Sequence, residues 1–406
     1  MTAIAEGTIV AAADDRLARR NTLVLAIGQA LSGANNSVIV STGAIVGSVL
    51  APDPGLATLP ISIMVLGICA GTVPVGILSR AFGRRFALQT GTVFGILCGL
   101  IACAAVLRGS FWLYNVGTFC AGLYAAAHLS YRFAATDTAS DEFRPKAVAW
   151  VLAGGVAAGV LGPQLVIATK DAWQPHLFAA TYLAQAAVAL LAGFVLAFLQ
   201  VPSSIVEPER RGGRSLAEIA RMPRFIVAVA CGVASYAMMN LMMTSAPLAM
   251  VGCGHSVTQA TLGIQWHVLG MYAPSFITGS LILRFGVGRI TGIGLVLMSL
   301  SAAVGLSGIS VLHFWSALTL LGVGWNFAFI GATTMVTECH RPQERNKVQS
   351  FNDFLVFGGM AIGSFSSGQI LAAWGWSAVN GVVFPVILAA ILLLIGLSLR
   401  DRLRIA

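Results

Sequence analysis

Four of the chain's twelve methionines lie within six positions, in the stretch YAMMNLMMTSAP (236–247). They are Met238, Met239, Met242 and Met243. Residues four apart share one face of a helix, so the cluster forms two pairs of neighbouring thioethers. A second stretch, QWHVLGMYAP (265–274), has His267 and Met271 at the same spacing. Thioether sulfur and imidazole nitrogen both bind Cu(I), so these residue types indicate a candidate copper site.

The elements that carry these residues are predicted to be membrane-spanning helices. Hydrophobic residues make up 57% of the 406-residue chain and charged residues only 10%, whereas soluble proteins carry about 25% charged residues. A spanning helix needs roughly 20 mostly apolar residues. The chain has twelve such stretches, at 23–46, 58–79, 87–107, 110–131, 147–169, 177–200, 225–250, 258–282, 290–309, 314–337, 351–373 and 378–399.

The distribution of basic residues predicts the orientation in the membrane. With an even number of spans, both termini lie on one side. That side holds 22 of the 24 Lys and Arg residues, all except Arg108 and Lys170. Because cytoplasmic loops collect basic residues, we expect both termini in the cytoplasm and the chain in a bacterial inner membrane. The net charge of +9 follows from this asymmetry and does not indicate a nucleic-acid partner.

The two stretches with metal-ligand chemistry are predicted to meet near the middle of the membrane. They belong to the seventh and eighth spans, which a short loop joins and which are therefore expected to be neighbours. Met239 and His267 both lie roughly 15 Å from the outer helix ends at 1.5 Å per residue. Two simpler interpretations stay open. Methionine stripes often serve packing, and an intramembrane histidine can form hydrogen bonds or relay protons instead of binding a metal.

The second half of the chain repeats the first. The stretch ATDTASDEFRP (135–145) matches ATTMVTECHRP (332–342) at five positions without a gap. We therefore predict two six-helix halves, 1–200 and 225–406, joined by a cytoplasmic linker at 201–224.

This plan resembles the major facilitator superfamily, in which two six-helix repeats surround a site at mid-membrane. GILSRAFGRR (76–85) is similar to that family's loop motif G-x-x-x-D-R-x-G-R-R, with Arg80 at the acidic position. The resemblance implies an all-α membrane protein with twelve transmembrane helices, whose first, fourth, seventh and tenth spans line the cavity. It also implies a gating role for Arg84 and Arg85, which match the motif.

The pairing of MxxxM with HxxxM on consecutive spans resembles the CcoA-type copper importers. These are major facilitators that supply copper for assembly of the cbb3-type cytochrome c oxidase in bacteria. The resemblance implies as copper ligands Met239, Met243, His267 and Met271. Met238 and Met242 satisfy the same spacing and stay candidates. Cys231 and Cys253 are similar to cysteines that flank the motif in that family, which implies transient copper contact or a redox role.

Other residues are candidates for ligand, proton and gating roles. Met64 takes in the second span the place that His267 takes in the eighth, so pseudo-symmetry makes it a further candidate ligand, with packing as the alternative. His128 and Asp353 are candidates for proton relay or substrate binding. The alternative for His128 is a structural hydrogen bond between helices, and the alternatives for Asp353 are an ion pair with Arg341 or Arg345 and a helix cap. Two acid–arginine pairs recur across the halves and are predicted to form an inner gate: Asp141 with Arg144, and Glu338 with Arg341.

The functional prediction is secondary transport rather than catalysis. The chain has neither a GxxxxGK[ST] nucleotide loop nor a nucleophile–base set. The main reading is import of a copper ion as substrate, with no permanent cofactor. The expected partners are the lipid bilayer and a downstream copper chaperone or copper-exporting ATPase, and the chain is expected to act as a monomer.

One alternative is a transporter of riboflavin or another small organic solute, on whose ring Tyr236 and Trp266 would stack. The other alternative is a drug or metabolite exporter.

Overall fold

The structure, a computed structural model, describes residues 15–140, 142–200 and 213–405. The first seven helices are α1 Arg16–Leu50, α2 Leu59–Phe82, α3 Arg84–Arg108, α4 Phe111–His128, α5 Tyr131–Ala134, α6 Arg144–Thr169 and α7 Ala179–Leu196. The others are α8 Leu216–Ala220, α9 Pro223–Gly252, α10 Val257–Tyr272, α11 Ser275–Phe285, α12 Val287–Ser307, α13 Val311–Thr337 and α14 Arg345–Ile405.

The predicted all-α membrane fold is confirmed. In the described ranges, nine helices are long and apolar enough to cross a membrane, and the bent pair α10–α11 makes a tenth candidate. α14 alone covers two predicted spans. Its 61 residues contain a break at Gly375, whose φ of 76° is not helical. An unbroken helix of that length would reach about 90 Å, far more than the roughly 30 Å of a bilayer core, so the break lets the chain turn back.

The eighth predicted span is not one continuous helix but two helices with a bend between them. α10 ends at Tyr272 and α11 begins at Ser275, with a bend of 42° between them. Pro274 lies at the bend, and proline lacks the backbone N–H that an unbroken helix would need. The helix that carries His267 and Met271 therefore ends one residue after Met271.

The helices pack as two groups. In the N-terminal group α1 packs against α6, α2 against α4, and α3 against α4 and α7. In the C-terminal group α9 packs against α14, and α13 against α10 and α12. The half boundaries at 1–200 and 225–406 stay a prediction, because residues 201–212 of the proposed linker lie outside the described ranges.

Glycine permits one very close contact between α2 and α4. A Cβ atom on Gly122 of α4 would lie only 2.0 Å from the backbone oxygen of Met64 on α2. Any side chain there would force the two helices apart. The position of Met64 therefore depends on glycine at residue 122.

Hydrogen bonds join the two groups at one end of the bundle. This end, the far end, lies opposite the basic loops. Ser62 Oγ donates to Ser364 Oγ at 3.1 Å and Thr58 Oγ1 donates to the Ser364 carbonyl at 3.2 Å. Gln369 of α14 donates to the Gly55 carbonyl at 3.3 Å. These bonds close the far end between α2 and α14.

Candidate functional site

A narrow cavity of about 90 Å³ lies between the two helix groups. α1, α2, α4 and α6 form its N-terminal wall, and α9, α10 and α14 form its C-terminal wall. Both groups thus contribute to one central space, which is the geometry that a substrate site requires in a two-group transporter.

The structure divides the methionines into two sets. Five line the cavity: Met64, Met239, Met243, Met271 and Met360. Met238 and Met242 do not line it; they are buried in the core of the C-terminal group. The cavity therefore has a flexible thioether lining to which both groups contribute. Met64 of α2 lies in the N-terminal wall, and its role as a ligand stays a prediction.

His267 lies apart from these methionines. Its side chain is fully buried, and its Nδ1 is 2.9 Å from the carbonyl oxygen of Leu318 on α13. It is not among the residues that line the cavity, and its Nε2 has no hydrogen-bond partner within the described ranges. The contact with Leu318 joins α10 to α13. The imidazole thus takes part in helix packing in this conformation and does not join the thioethers around one point.

The C-terminal wall is aromatic. Tyr236, Tyr272 and Phe357 line the cavity. The ring of Tyr236 is held edge-on, with its centroid 5.1 Å from that of Trp325 and 4.9 Å from that of Phe329. Such edge-to-face pairs fix ring orientation. This wall presents ordered aromatic surface to whatever occupies the cavity.

The N-terminal wall is polar along one stripe of α1. Gln29, Gly33, Asn36 and Ser37 line the cavity. Gly33 lies four residues after Gln29, and Asn36 and Ser37 lie three and four residues after Gly33, so all four share one helix face. The side-chain oxygen of Asn36 has no hydrogen-bond partner in the part of the chain that the structure describes. The amide of Asn36 is thus free to bond a ligand. The sequence analysis did not single out this stripe, although its polar spacing within an apolar span was a visible signal.

His128 and Asp353 occupy different places. His128 lines the cavity, with its Nδ1 3.1 Å from the Ala125 carbonyl oxygen. Asp353 accepts a hydrogen bond of 3.2 Å from Asn352 and interacts electrostatically with Arg132 of the other group. His128 is therefore placed to touch a substrate, whereas Asp353 is placed to interact between the groups.

Neither of the two flanking cysteines lines the central cavity. Cys231 is buried, with its thiol 3.9 Å from the Ala390 carbonyl oxygen on α14. Cys253 is exposed and lines a second cavity of about 430 Å³ at the far end, together with Trp376. Neither cysteine is brought together with the cavity methionines.

The predicted gate residues have other partners than expected. Arg84 Nε donates to Asp137 at 2.8 Å, and Glu338 pairs with Arg224 rather than with Arg341. Arg85 is exposed. Both ion pairs join residues of the same helix group. Asp141 lies outside the described residues, so its pairing with Arg144 stays a prediction.

A buried ion pair that the sequence analysis missed anchors the end of the linker. The Glu344 side chain is fully buried. Arg214 donates to it through the guanidinium Nη2 at 2.8 Å and through its backbone N–H at 2.6 Å. The backbone N–H of Arg341 donates to the same carboxylate at 2.9 Å. These hydrogen bonds, from the Arg214 side chain first, hold the pKa of Glu344 well below its usual value.

The fold and the central cavity define a multi-pass membrane transporter of the two-group type. The chain belongs to the Major Facilitator Superfamily, whose family model matches residues 25–266 and 231–404. The predicted superfamily is thereby confirmed, and with it the transporter class.

Two related proteins bear on the superfamily and on the class of substrate. The chain is 49% identical over 389 residues to the riboflavin transporter RfnT of Brucella anthropi, covering 95% of this chain and 97% of that one. It is 30% identical to the uncharacterized transporter YdeG of Bacillus subtilis, covering 90% and 88% of the two chains. Both relatives support the superfamily, and RfnT favours the riboflavin alternative over the narrower expectation of a CcoA-type copper importer.

Solved structures agree on the fold. A mutant form of the nucleoside transporter NupG superposes with a TM-score of 0.71 at 14% identity, covering 92% of this chain and 99% of that one. A D-xylose-proton symporter gives the same TM-score at 17% identity, with 92% and 97% covered. At identities this low, the similarity shows only that the fold is shared.

Proposed function

We propose that this protein transports riboflavin, or a solute with a closely similar flat heteroaromatic ring, across the bacterial inner membrane. The observation that carries the proposal is the cavity's asymmetry, with an aromatic wall opposite a polar stripe that carries the amides of Gln29 and Asn36. The 49% identity to a riboflavin transporter over nearly the whole chain supports the same choice.

The ring system of riboflavin matches both walls. Its three fused rings offer a flat apolar surface, on which Tyr236, Tyr272 and Phe357 can stack. Its pyrimidinedione edge carries an N–H between two carbonyl oxygens. A carboxamide such as that of Asn36 complements this edge, because its oxygen accepts from the N–H while its nitrogen donates to a carbonyl. The methionines fit around the ring because their side chains are flexible.

The transport cycle requires the two groups to move. The cavity of about 90 Å³ is smaller than the roughly 300 Å³ of the smallest typical ligand pockets. Substrate therefore enters when the groups part, and the structure corresponds to a state closed at the far end. With the basic end placed in the cytoplasm, that closed end faces the outside. Transport proceeds without nucleotide hydrolysis or a permanent cofactor.

Uptake of labelled riboflavin by cells that lack their own transporter tests the proposal. The variant Tyr236→Ala removes the central ring of the aromatic wall. Stacking of a flat heterocycle on one aromatic side chain contributes about 1–3 kcal/mol, so uptake at low substrate should fall roughly 5-fold to 150-fold. Trp266→Ala is the matched control, because Trp266 is exposed and does not line the cavity.

The same cells separate riboflavin from copper. Excess unlabelled riboflavin should block uptake of the label, and copper salts should not. If the chain raises cellular copper and leaves riboflavin uptake unchanged, the proposal is wrong and the thioether lining serves a metal.

A further inference from the structure

A small polar void lies inside the N-terminal helix group, beside the central cavity. Its volume is about 10 Å³, roughly the space of one water-sized particle. Side chains of α1, α4 and α7 line it, and the polar ones are Ser32, Asn35, Asn36, Tyr124 and Gln185. Asn36 also lines the central cavity, so the two spaces share one side chain.

The void is rich in hydrogen-bond acceptors without partners. Asn35 and Gln185 are 3% and 1% exposed. The side-chain oxygens of Asn35, Asn36 and Gln185 have no hydrogen-bond partner among the residues that the structure describes. Buried amide oxygens without partners are costly, so three at one void indicate a bound species that satisfies them.

The amide orientations follow from their nitrogen atoms. Asn35 Nδ2 donates to the Leu31 carbonyl and Gln185 Nε2 donates to the Asn35 carbonyl, each at 3.4 Å. Rotating either amide by 180° would put its oxygen against a carbonyl oxygen. The unpartnered atoms of Asn35 and Gln185 are therefore acceptors.

The chemistry of these acceptors selects the ligand. An anion would need free donors, but the hydroxyls of Ser32 and Tyr124 bond each other, and the side-chain nitrogens of Asn35 and Gln185 bond carbonyl oxygens. A single water has two protons for three amide oxygens. A divalent ion normally takes carboxylate ligands, and the residues lining the void include none. Neutral oxygen ligands with no compensating acid suit a small monovalent cation.

We propose that this void binds Na⁺ through the amide oxygens of Asn35, Asn36 and Gln185, and that the ion is coupled to transport at the central cavity. The coupling part rests on the proposed function, whereas the ion site does not. Asn36 connects the two: one lone pair of its side-chain oxygen binds Na⁺, while the second lone pair and the nitrogen bond the substrate. Each ligand then raises the affinity for the other by the same factor.

Thermal unfolding of the purified full-length protein, without riboflavin, tests the ion site. Na⁺ should raise the midpoint relative to choline and K⁺ at equal ionic strength, because a ligand that binds only the folded state stabilises it. Gln185→Leu should abolish this shift. The matched control is Asn115→Leu: the Asn115 oxygen is also buried without a described partner, but Asn115 does not line the void.

A conservative variant keeps the test decisive if Gln185→Leu fails to fold. Gln185→Glu supplies a carboxylate of the same size, so it should show the stabilising shift at lower Na⁺ concentration. An equal midpoint for the wild-type protein in Na⁺, K⁺ and choline overturns the site, as does a Gln185→Leu variant that keeps the full shift.

Riboflavin uptake into proteoliposomes tests the coupling. Replacing external Na⁺ by choline should lower wild-type uptake about fivefold or more, the lower range of typical coupling between sites. Uptake that follows pH and ignores Na⁺ overturns the coupling. A Na⁺-dependent thermal shift in a protein that moves no riboflavin would instead leave the ion site standing and reject the proposed function.

Discussion

At the scale of single residues, neighbouring methionines of α9 have different surroundings. Met239 and Met243 line the cavity, whereas Met242 is buried in the core of its own group. A helix turns 100° per residue, so a shift of one position moves a side chain to another face. The spacing showed that pairs exist, but it did not determine which pair faces the cavity.

The cavity methionines are expected to act by shape and not by sulfur chemistry. The double variant Met239→Leu/Met243→Leu should keep riboflavin uptake near the wild-type level, because leucine conserves volume and apolar character. Uptake assays alongside Met242→Leu, a change in the core, check this. A large loss in the double variant with none in the control would show that the thioethers themselves are needed.

At the scale of elements, contacts between helices position the cavity residues. α2 lies against α4 at Gly122, and α10 is joined to α13 through His267 and the Leu318 carbonyl. The apolar spans were visible in the sequence, and the break in α10–α11 coincides with Pro274. The helix neighbours were not visible, because they depend on contacts between residues far apart in the chain.

Gly122→Ala should disturb the α2–α4 contact. The added Cβ would meet the Met64 carbonyl oxygen at 2.0 Å, and overpacking of this kind costs about 1–3 kcal/mol. We expect a lower unfolding midpoint and weaker riboflavin uptake. Gly396→Ala is the control, because a Cβ there meets nothing within 4 Å. Equal midpoints for the two variants would contradict the close contact.

The ion pair of Arg214 with Glu344, which anchors the end of the linker, predicts a pH effect on stability. Arg214 lowers the pKa of Glu344 from the usual 4.5. The stabilisation is therefore present above pH 4.5 and is lost as the pH falls below that value, because the unfolded chain then takes up a proton that the folded one resists. Unfolding midpoints between pH 7 and pH 3 measure this effect.

Glu344→Gln should lower the midpoint at pH 7 and flatten the acid side of the profile. Glu338→Gln serves as control, because its pair with Arg224 is partly exposed and exposed pairs contribute little. An unchanged profile in Glu344→Gln would show that the anchor does not stabilise the fold.

At the scale of the whole molecule, hydrogen bonds at the far end join the two groups, and the ion pairs of Arg84 and Glu338 stay within one group. Such bonds must break if the cavity is to open on that side. We therefore expect the closed end to be one state of a cycle in which the groups rock about the substrate.

A disulfide across the far end should stop this cycle. The hydroxyl oxygens of Ser62 and Ser364 are 3.1 Å apart, so the double variant Ser62→Cys/Ser364→Cys should crosslink under mild oxidation. We expect uptake to be lost on oxidation and restored by a reductant, with each single variant unaffected. Full uptake by the crosslinked protein would show that the far end does not open.

The sequence by itself determined the membrane-spanning character and the superfamily, because these depend on hydrophobicity and motifs that are local in the chain. Only the tertiary structure decided which side chains share the cavity. His267 and Met239 have matching depths along their helices, yet His267 is directed to α13 while Met239 lines the cavity. The direction of a side chain depends on the rotation of its helix against its neighbours, and packing between distant segments sets that rotation.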